Sequence, residues 1–234
     1  MINQLDKEFA RLKDLVSDML DLVKIQVERA EEAMFDFNES LLIEAQSTEK
    51  TINNLDLKID NRCENILALH QPVAVDLRFV MACLSINTFL ERVGDNAFAI
   101  VRIGEKTQNE FDAELLKSWR LKEMFKVAKD MIDAVKEGFE EDNTLMVANS
   151  FKLDQALDDI NAHAEGFLSD YATQNPTKIK ATFTIFPVFR KLERIGDMIT
   201  NISEELIFYI DAKVLKHKSS KKKQKFIDKV EQAD

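Results

Sequence analysis

The sequence predicts an all-α protein made of two similar halves, and three observations lead to this prediction. The hexapeptide LERVGD at residues 90–95 returns as LERIGD at residues 192–197, close to half the chain of 234 residues further on. Five glycines and three prolines leave few places for turns, so long helices with short connections are expected. Apolar residues recur at helical spacing through long segments. We therefore predict two tandem three-helix bundles.

The first half is predicted to hold three helices of about thirty residues, each ~45 Å long. Apolar spacing places the first helix over residues 5–34. Asn38 has the side chain of an N-cap for a second helix over residues 39–70. Pro72 suits the first turn of the third helix, and Gly104 suits its C-terminal cap. These helices form an up-down-up bundle.

The same pattern repeats in the second half, after a polar boundary at residues 106–109. A fourth helix is predicted over residues 111–139, and Asn143 is expected to cap a fifth that ends near residue 172. The sixth opens at Pro176 and continues to about residue 215. Pro187 lies inside it and is expected to kink it, because proline removes a backbone hydrogen bond. The resulting units are residues 1–105, residues 110–212 and a basic tail over residues 213–234.

The tail is rich in lysine, and two interpretations of it are open. The lysines between Leu215 and Phe226 are Lys216, Lys218, Lys221, Lys222, Lys223 and Lys225. A flexible, solvated tail is the simpler interpretation. The alternative is an electrostatic contact with anionic lipid or with the acidic surface of a partner.

The overall composition limits the classes of function. A net charge of −10 argues against nucleic acid as the main partner and is compatible with cation binding. No stretch approaches the ~20 apolar residues that a membrane span needs. We therefore expect a soluble, cytoplasmic protein.

The repeated hexapeptide carries the main candidate chemistry. Each copy places carboxylates at positions i and i+4, which lie on one face of a helix: Glu91 with Asp95, and Glu193 with Asp197. The glycine between them, Gly94 or Gly196, costs about 1 kcal/mol relative to alanine inside a helix. A repeated choice of glycine indicates that a facing helix, an ion or both approach the backbone closely.

A second pair of polar side chains precedes each hexapeptide on the preceding helix. Glu49 and Asn53 have i, i+4 spacing in the first half, and Asp154 and Asp158 have it in the second. If antiparallel neighbours bring the pairs together, each half gathers four oxygen-bearing side chains. Such clusters repel themselves unless cations neutralise them, and oxygen ligands suit magnesium, calcium, manganese or iron. The simpler alternative is a set of solvated helix faces, with Arg92 and Arg194 pairing with the neighbouring glutamates.

The sequence contains no familiar catalytic set. No glutamate stands three residues before any histidine, so the Glu-x-x-His signature of di-iron helix bundles is absent. A phosphate-binding glycine loop is also absent. Three hypotheses remain: a non-enzymatic adaptor with cation sites, a carboxylate-bridged metalloenzyme acting on phosphate esters or dioxygen, and a purely structural helical protein.

The two hexapeptides resemble the twin motifs of the PhoU family, regulators of bacterial phosphate uptake and signalling. The run HQPVAVDLR at residues 70–78 also resembles the segment of that family at the start of its third helix. The resemblance extends over roughly residues 5–211 and so covers both halves. It implies two three-helix bundles related by pseudo-twofold symmetry.

The resemblance also implies a function and a set of ligands. It implies a cytosolic adaptor, not an enzyme, that represses the phosphate-starvation response, and contacts with a membrane sensor histidine kinase (PhoR-like) and with the ATPase of the phosphate transporter (PstB-like). Association with the membrane is then peripheral, and a homodimer is left open. Iron, zinc, magnesium or manganese would bind paired E(D)xxxD motifs, which here are Glu91 with Asp95, Glu193 with Asp197, and Asp154 with Asp158. Asn53 replaces a carboxylate in the first half and weakens that site.

Overall fold

The protein is all-α, as the sequence predicts. The computed structural model describes residues 4–108, 110–216, 218, 223 and 225–228. Within these ranges every regular element is helical, and no strand occurs. Among the described residues, no helix contains an apolar stretch of the length that a membrane span requires.

The first half contains three long helices that pack on one another. They are α1 (Gln4–Phe35), α2 (Glu39–His70) and α3 (Ala74–Thr107). Each one buries an apolar stripe against the other two, and the stripe of α1 includes Leu12, Val16, Met19, Val23 and Val27. This arrangement is the predicted up-down-up bundle.

The second half repeats this bundle with one extra break. Its helices are α4 (Ala113–Ser118), α5 (Leu121–Glu140), α6 (Thr144–Gln174) and α7 (Ile179–Asp211), with a 3₁₀ turn at Pro176–Lys178 before α7. Helices α5, α6 and α7 pack on one another, and α4 contacts α5. The two halves also pack together, α3 against α7 and α1 against α5. The two helices that carry the repeated hexapeptides are therefore neighbours.

Both predicted asparagine caps are confirmed. The side chain of Asn38 accepts a hydrogen bond from the backbone N–H of Leu41 at 3.0 Å. Asn143 accepts two, from the N–H groups of Leu145 and Met146 at 2.9 and 3.2 Å. These bonds satisfy N–H groups that have no partner inside the helix.

Replacing Asn143 with alanine is expected to lower the free energy of unfolding by about 1 kcal/mol, because α6 loses its capping acceptor. Urea denaturation of the purified variant measures the change. Asn54, which is exposed in the interior of α2, provides the matched control. Its replacement by alanine removes no cap and is expected to leave stability equal or slightly higher. Equal stability of the two variants would contradict the capping role.

Two expectations about the ends of α3 were wrong. Pro72 does not lie in its first turn, because the chain reverses over residues 71–73, with Gln71 in the left-handed region at a φ of 46°. Gly104 is not a C-terminal cap either, since α3 continues past it to Thr107. A Cβ at Gly104 would lie 2.4 Å from the carbonyl oxygen of Ala33 in α1. The glycine is needed for helix packing.

The single helix predicted over residues 111–139 is broken. Arg120 adopts a left-handed conformation, with a φ of 60°, between α4 and α5. Trp119 is 4% exposed, and its ring packs edge-on against Phe111 and Tyr171. Arg120 also forms ion pairs with Glu123 and with Asp159 of α6. Tertiary contacts of this kind override a helical pattern of apolar residues.

The last helix is shorter than expected. The residues from Pro176 to Lys178 form a 3₁₀ turn, and α7 itself ends at Asp211 instead of residue 215. Ala212 then has a φ of 55°, the left-handed conformation that commonly ends a helix. The chain leaves α7 there and turns back, so that Leu215 is buried. Pro187 lies inside α7, as predicted.

Candidate metal sites

The two motif glycines lie where a neighbouring helix comes closest. A Cβ at Gly94 would be 3.0 Å from Cδ1 of Ile52 and 3.8 Å from Oε2 of Glu49, both on α2. A Cβ at Gly196 would be 2.5 Å from Cδ1 of Leu157 and 2.7 Å from an oxygen of Asp154, both on α6. The predicted close approach is confirmed in both halves. Each glycine therefore places a carboxylate of the facing helix beside the motif.

The first-half site brings together Glu49 of α2 with Glu91 and Asp95 of α3. Burial, a hydrogen bond between its carboxyl group and that of Asp95, and the charge of Glu91 raise the pKa of Glu49 to about 7. Burial and the charge of Asp95 also raise the pKa of Glu91. The carboxyl group of Glu49 therefore holds a proton for part of the time near neutral pH.

A glutamine of α1 completes this site, and no sequence pattern indicated it. Gln26 is 0% exposed, and its Nε2 donates to the carbonyl oxygen of Ala45 at 3.0 Å and to Glu49 Oε2 at 3.5 Å. Its Oε1 is buried and has no hydrogen-bond partner among the described residues. An acceptor without a partner beside carboxylates is one more oxygen for a cation.

The acidic surface continues along α2 to a second pair of carboxylates, Asp56 and Asp60, which also contacts α3. Asn87 is 0% exposed, and its Nδ2 donates to the side chains of Asp56 and Asp60 at 2.7 and 2.9 Å. Burial and the charge of Asp60 raise the pKa of Asp56, and Asp56 in turn contributes to the raised pKa of Glu91. Our sequence interpretation missed this pair, although its i, i+4 spacing is the signal that identified the others.

The second-half site gathers all four predicted carboxylates. Burial and the charges of Asp158 and Asp197 raise the pKa of Asp154 to about 7. Burial and the charges of Asp197 and Asp158 raise the pKa of Glu193, and Asp197 has the larger effect of the two. Burial and Asp158 raise the pKa of Asp197. The four groups therefore interact electrostatically across the groove between α6 and α7.

A lysine of the basic segment also reaches this groove. The charge of Lys223 offsets part of the rise in the pKa values of Asp154 and Asp197. Its Nζ forms an ion pair of 2.7 Å with Oε1 of Glu204 on α7. The sequence suggested an acidic partner surface for this segment, but not that the surface belongs to the same chain. The rest of the predicted flexible tail, residues 217, 219–222, 224 and 229–234, lies outside the described residues.

Three predicted site residues form no hydrogen bond or ion pair with the site carboxylates in the part of the chain that the structure describes. Asn53 is exposed and forms no side-chain hydrogen bond with any described residue. Arg92 and Arg194 form no ion pair with a carboxylate of the described chain, although their charges lower the pKa values of Glu91 and Glu193. Pairing of these arginines therefore does not account for the acidic clusters.

The donor chemistry of both sites fits a hard or borderline cation. Glu49, Glu91, Asp154 and Glu193 are partly buried, whereas Asp95, Asp158 and Asp197 are exposed. Their mutual repulsion contributes to the raised pKa values of Glu49, Glu91, Asp154, Glu193 and Asp197, and in the first half Glu49 lies beside the unpartnered oxygen of Gln26. Across the described residues, no group of three or more histidine, cysteine, aspartate and glutamate side chains is already arranged to hold a metal ion. An ion would therefore have to draw the carboxylates of facing helices together by rotation of their side chains.

Fold and site together define a class: paired three-helix bundles in which the third helix of each sets a glycine-spaced carboxylate motif against the second. Sequence comparison gives this class a name. The PhoU domain matches residues 16–104 and again residues 121–206. The chain belongs to the PhoU family.

Individual relatives agree with this assignment. The "phosphate-specific transport system accessory protein PhoU homolog" of Aquifex aeolicus is 30% identical over 221 residues, which cover 94% of this chain and 99% of that protein. The homolog of the same name from Pseudomonas aeruginosa is 30% identical over 218 residues, which cover 89% of this chain and 87% of that protein.

Solved structures also show the same fold. The crystal structure of PhoU from Pseudomonas aeruginosa superposes with a TM-score of 0.84 at 26% identity and covers 90% of this chain and 100% of that one. A regulatory protein of the phosphate transport system from Streptococcus pneumoniae, PhoU, gives a TM-score of 0.78 at 21% identity over 91% of this chain and 99% of that one.

Proposed function

We propose that this chain is an accessory protein of a phosphate-specific transport system. In this proposal it is a cytosolic, metal-binding adaptor, not an enzyme, that restrains phosphate uptake and holds off the phosphate-starvation response when phosphate is plentiful. The observation that carries the proposal is the pairing of carboxylates between helices in both halves of a PhoU-family chain. Relatives that match nearly the whole chain bear this accessory role in their names.

The metal part of the proposal rests on electrostatics. Carboxylates that are partly buried and repel one another gain stability when a cation neutralises them. The candidate ions are iron, zinc, magnesium and manganese. In the first half they would be held by Glu49, Glu91 and Asp95, and in the second by Asp154, Asp158, Glu193 and Asp197. A bound ion would link α2 to α3 and α6 to α7 and so fix the helix faces that partners contact.

The adaptor part is supported by apolar side chains exposed at matching positions of both halves. Near the start of α3, Leu77 and Met81 are 40% and 49% exposed. At the same distance before the second hexapeptide, Ile179 and Phe183 of α7 are 44% and 75% exposed. Repeated exposed apolar side chains are typical of protein interaction surfaces. The proposed partners are a sensor histidine kinase and the ATPase of the phosphate transporter, through which the protein would associate with the membrane.

Deleting the gene is expected to raise the transcripts of phosphate-starvation genes several-fold in phosphate-rich medium, and the intact gene should restore repression. A version with Asp95→Asn and Asp197→Asn is expected to fail in restoring it and to lose metal in elemental analysis of the purified protein. Glu64→Gln with Asp170→Asn is the matched control, because both side chains are exposed and lie outside the two sites.

Each part of the proposal can fail separately. Unchanged transcripts after deletion would refute the regulatory role. Full repression and full metal content in the Asp95 and Asp197 variant would refute the role of the metal sites. Catalytic turnover that follows metal loading would instead favour a carboxylate-bridged metalloenzyme.

A further inference from the structure

The chain after α7 returns to the second half, where Lys223 and residues 225–228 form what we call the docked segment. Nζ of Lys223 lies 2.7 Å from Glu204 Oε1 and 5.0 Å from the centre of the Phe151 ring. The side chains of Lys223 and Glu204 are only 22% and 8% exposed. The ammonium group therefore occupies a half-buried position between α6 and α7, with one carboxylate and one aromatic face as its neighbours.

Both contacts of Lys223 flank the carboxylates of the second site. Phe151 precedes Asp154 by less than one turn of α6, and Glu204 follows Asp197 by two turns on the same face of α7. The positive charge of Lys223 acts on Asp154 and on Asp197. Lys223 therefore supplies, from within the chain, part of the positive charge that a bound cation would supply.

Apolar contacts fix the position of this segment. Ile227, four residues after Lys223, is 1% exposed and belongs to the buried core. Phe226 is partly buried, and the ammonium of Lys213 lies 5.2 Å from the centre of its ring. Burial of such side chains holds the segment in place independently of salt. The contact is thus a docked conformation and not a diffuse attraction between opposite charges.

The docked segment makes the two sites unequal. It follows α7, so it covers a groove of the second half, whereas α3 is followed by α4 and the second bundle. A divalent cation among Asp154, Asp158 and Asp197 would repel the nearby ammonium group and would remove the carboxylate charge that attracts it.

We propose that Lys223 is an internal competitor for the cation of the second site. The docked segment lowers the affinity of that site for a divalent cation, and binding of the cation releases Lys223 and residues 225–228. This inference rests on the proposed metal-binding function. It assigns the segment a regulatory task, because the surface that partners meet at this end of the protein would then depend on whether the second site is loaded.

The test uses the full chain with Glu91→Gln and Asp95→Asn, which leaves the second site to be titrated with Mn²⁺ by calorimetry. Adding Lys223→Ala is expected to tighten Mn²⁺ binding about threefold to tenfold, the range expected for loss of a half-buried charge interaction. Lys225→Ala is the matched control, because Lys225 is exposed in the same segment, and it is expected to bind like the parent. In the parent, Mn²⁺ should also speed amide hydrogen exchange at Lys223 and residues 225–228.

The outcomes separate this inference from the function on which it rests. Tighter binding only in the Lys223 variant, with faster exchange in the parent, supports competition. Equal affinity of all three proteins, or exchange that Mn²⁺ does not change, overturns competition and leaves the metal site standing. Absence of Mn²⁺ binding to every protein overturns the metal site and the competition together.

Discussion

Replacing Gly104 with alanine is expected to lower the free energy of unfolding by about 2–3 kcal/mol, the largest loss that we predict for a single added methyl group. The new Cβ would lie 2.4 Å from the carbonyl oxygen of Ala33 and 2.8 Å from its carbonyl carbon. Both atoms belong to the backbone of α1, so no side-chain rotation can relieve the overlap. Helices α1 and α3 would have to move apart along a contact that buries much of the first core.

Gly166 is the control for this substitution. It also lies inside a helix, but a Cβ there would meet no atom within 4 Å. Alanine at this position is expected to raise stability by up to about 1 kcal/mol through helix propensity alone. Urea denaturation of both variants gives the difference. If the Gly104 variant is as stable as the Gly166 variant, close packing of α1 on α3 is not what requires glycine.

Features within one helix, or between a helix and its repeat, were predictable from the sequence. The asparagine caps at Asn38 and Asn143 depend on local chemistry, and both were found where predicted. Gly94 and Gly196 were recognised because the same helix-weakening residue occurs twice in one motif. The repetition indicated that packing requires glycine at both positions and that the residue does not occur there by chance.

Features that depend on tertiary contacts were missed for physical reasons. The break at Arg120 is held by the burial of Trp119 between Phe111 and Tyr171, which are distant in sequence from one another. The sequence predicts a helix cap at Gly104, because a single glycine near the end of an apolar pattern carries no information about a neighbouring helix. Periodicity describes the face that a helix buries, but not what lies against it.

The candidate sites show the same limit. The i, i+4 carboxylate pairs were visible in the sequence, whereas Gln26 comes from α1, where nothing in the pattern distinguishes it from other polar residues. Lys223 was noted as part of a charge run, but its contact with Glu204 depends on the reversal of the chain after α7. A residue that joins a site without a regularly spaced or repeated partner in its own helix produces no pattern in the sequence.

Replacing Asp154 with asparagine is expected to stabilise the metal-free protein above pH 7. The pKa of Asp154 is raised in the folded protein from 3.8 to about 7, so between these values the folded chain holds a proton that the unfolded chain has lost. Stability therefore falls as the pH rises through this window, and the full loss is present above pH 7. Asparagine has the same shape, carries no charge and avoids this loss.

At pH 8 the free energy of unfolding of the Asp154→Asn variant is expected to exceed that of the parent by about 2 kcal/mol, after allowance for solvent screening and for the lost attraction of Lys223. This difference is expected to disappear near pH 4. For a chain of this size it corresponds to a melting temperature higher by about 4–8 °C. Asp170→Asn is the control, because this carboxylate is exposed on the same helix. A variant that is less stable than the parent at pH 8 would show that Asp154 is favourably paired in the fold.

Addition of Mn²⁺ at pH 7.5 is expected to make the parent more stable than the Asp154→Asn variant. An ion that binds only the folded parent stabilises it by about 2.7 kcal/mol at a concentration one hundred times its Kd. The Asp154→Asn variant loses a ligand and should gain much less, so its advantage disappears. Such a reversal would mean that the second half keeps a destabilising, partly buried carboxylate because the site binds a cation. If Mn²⁺ stabilises both proteins equally, Asp154 is not a ligand.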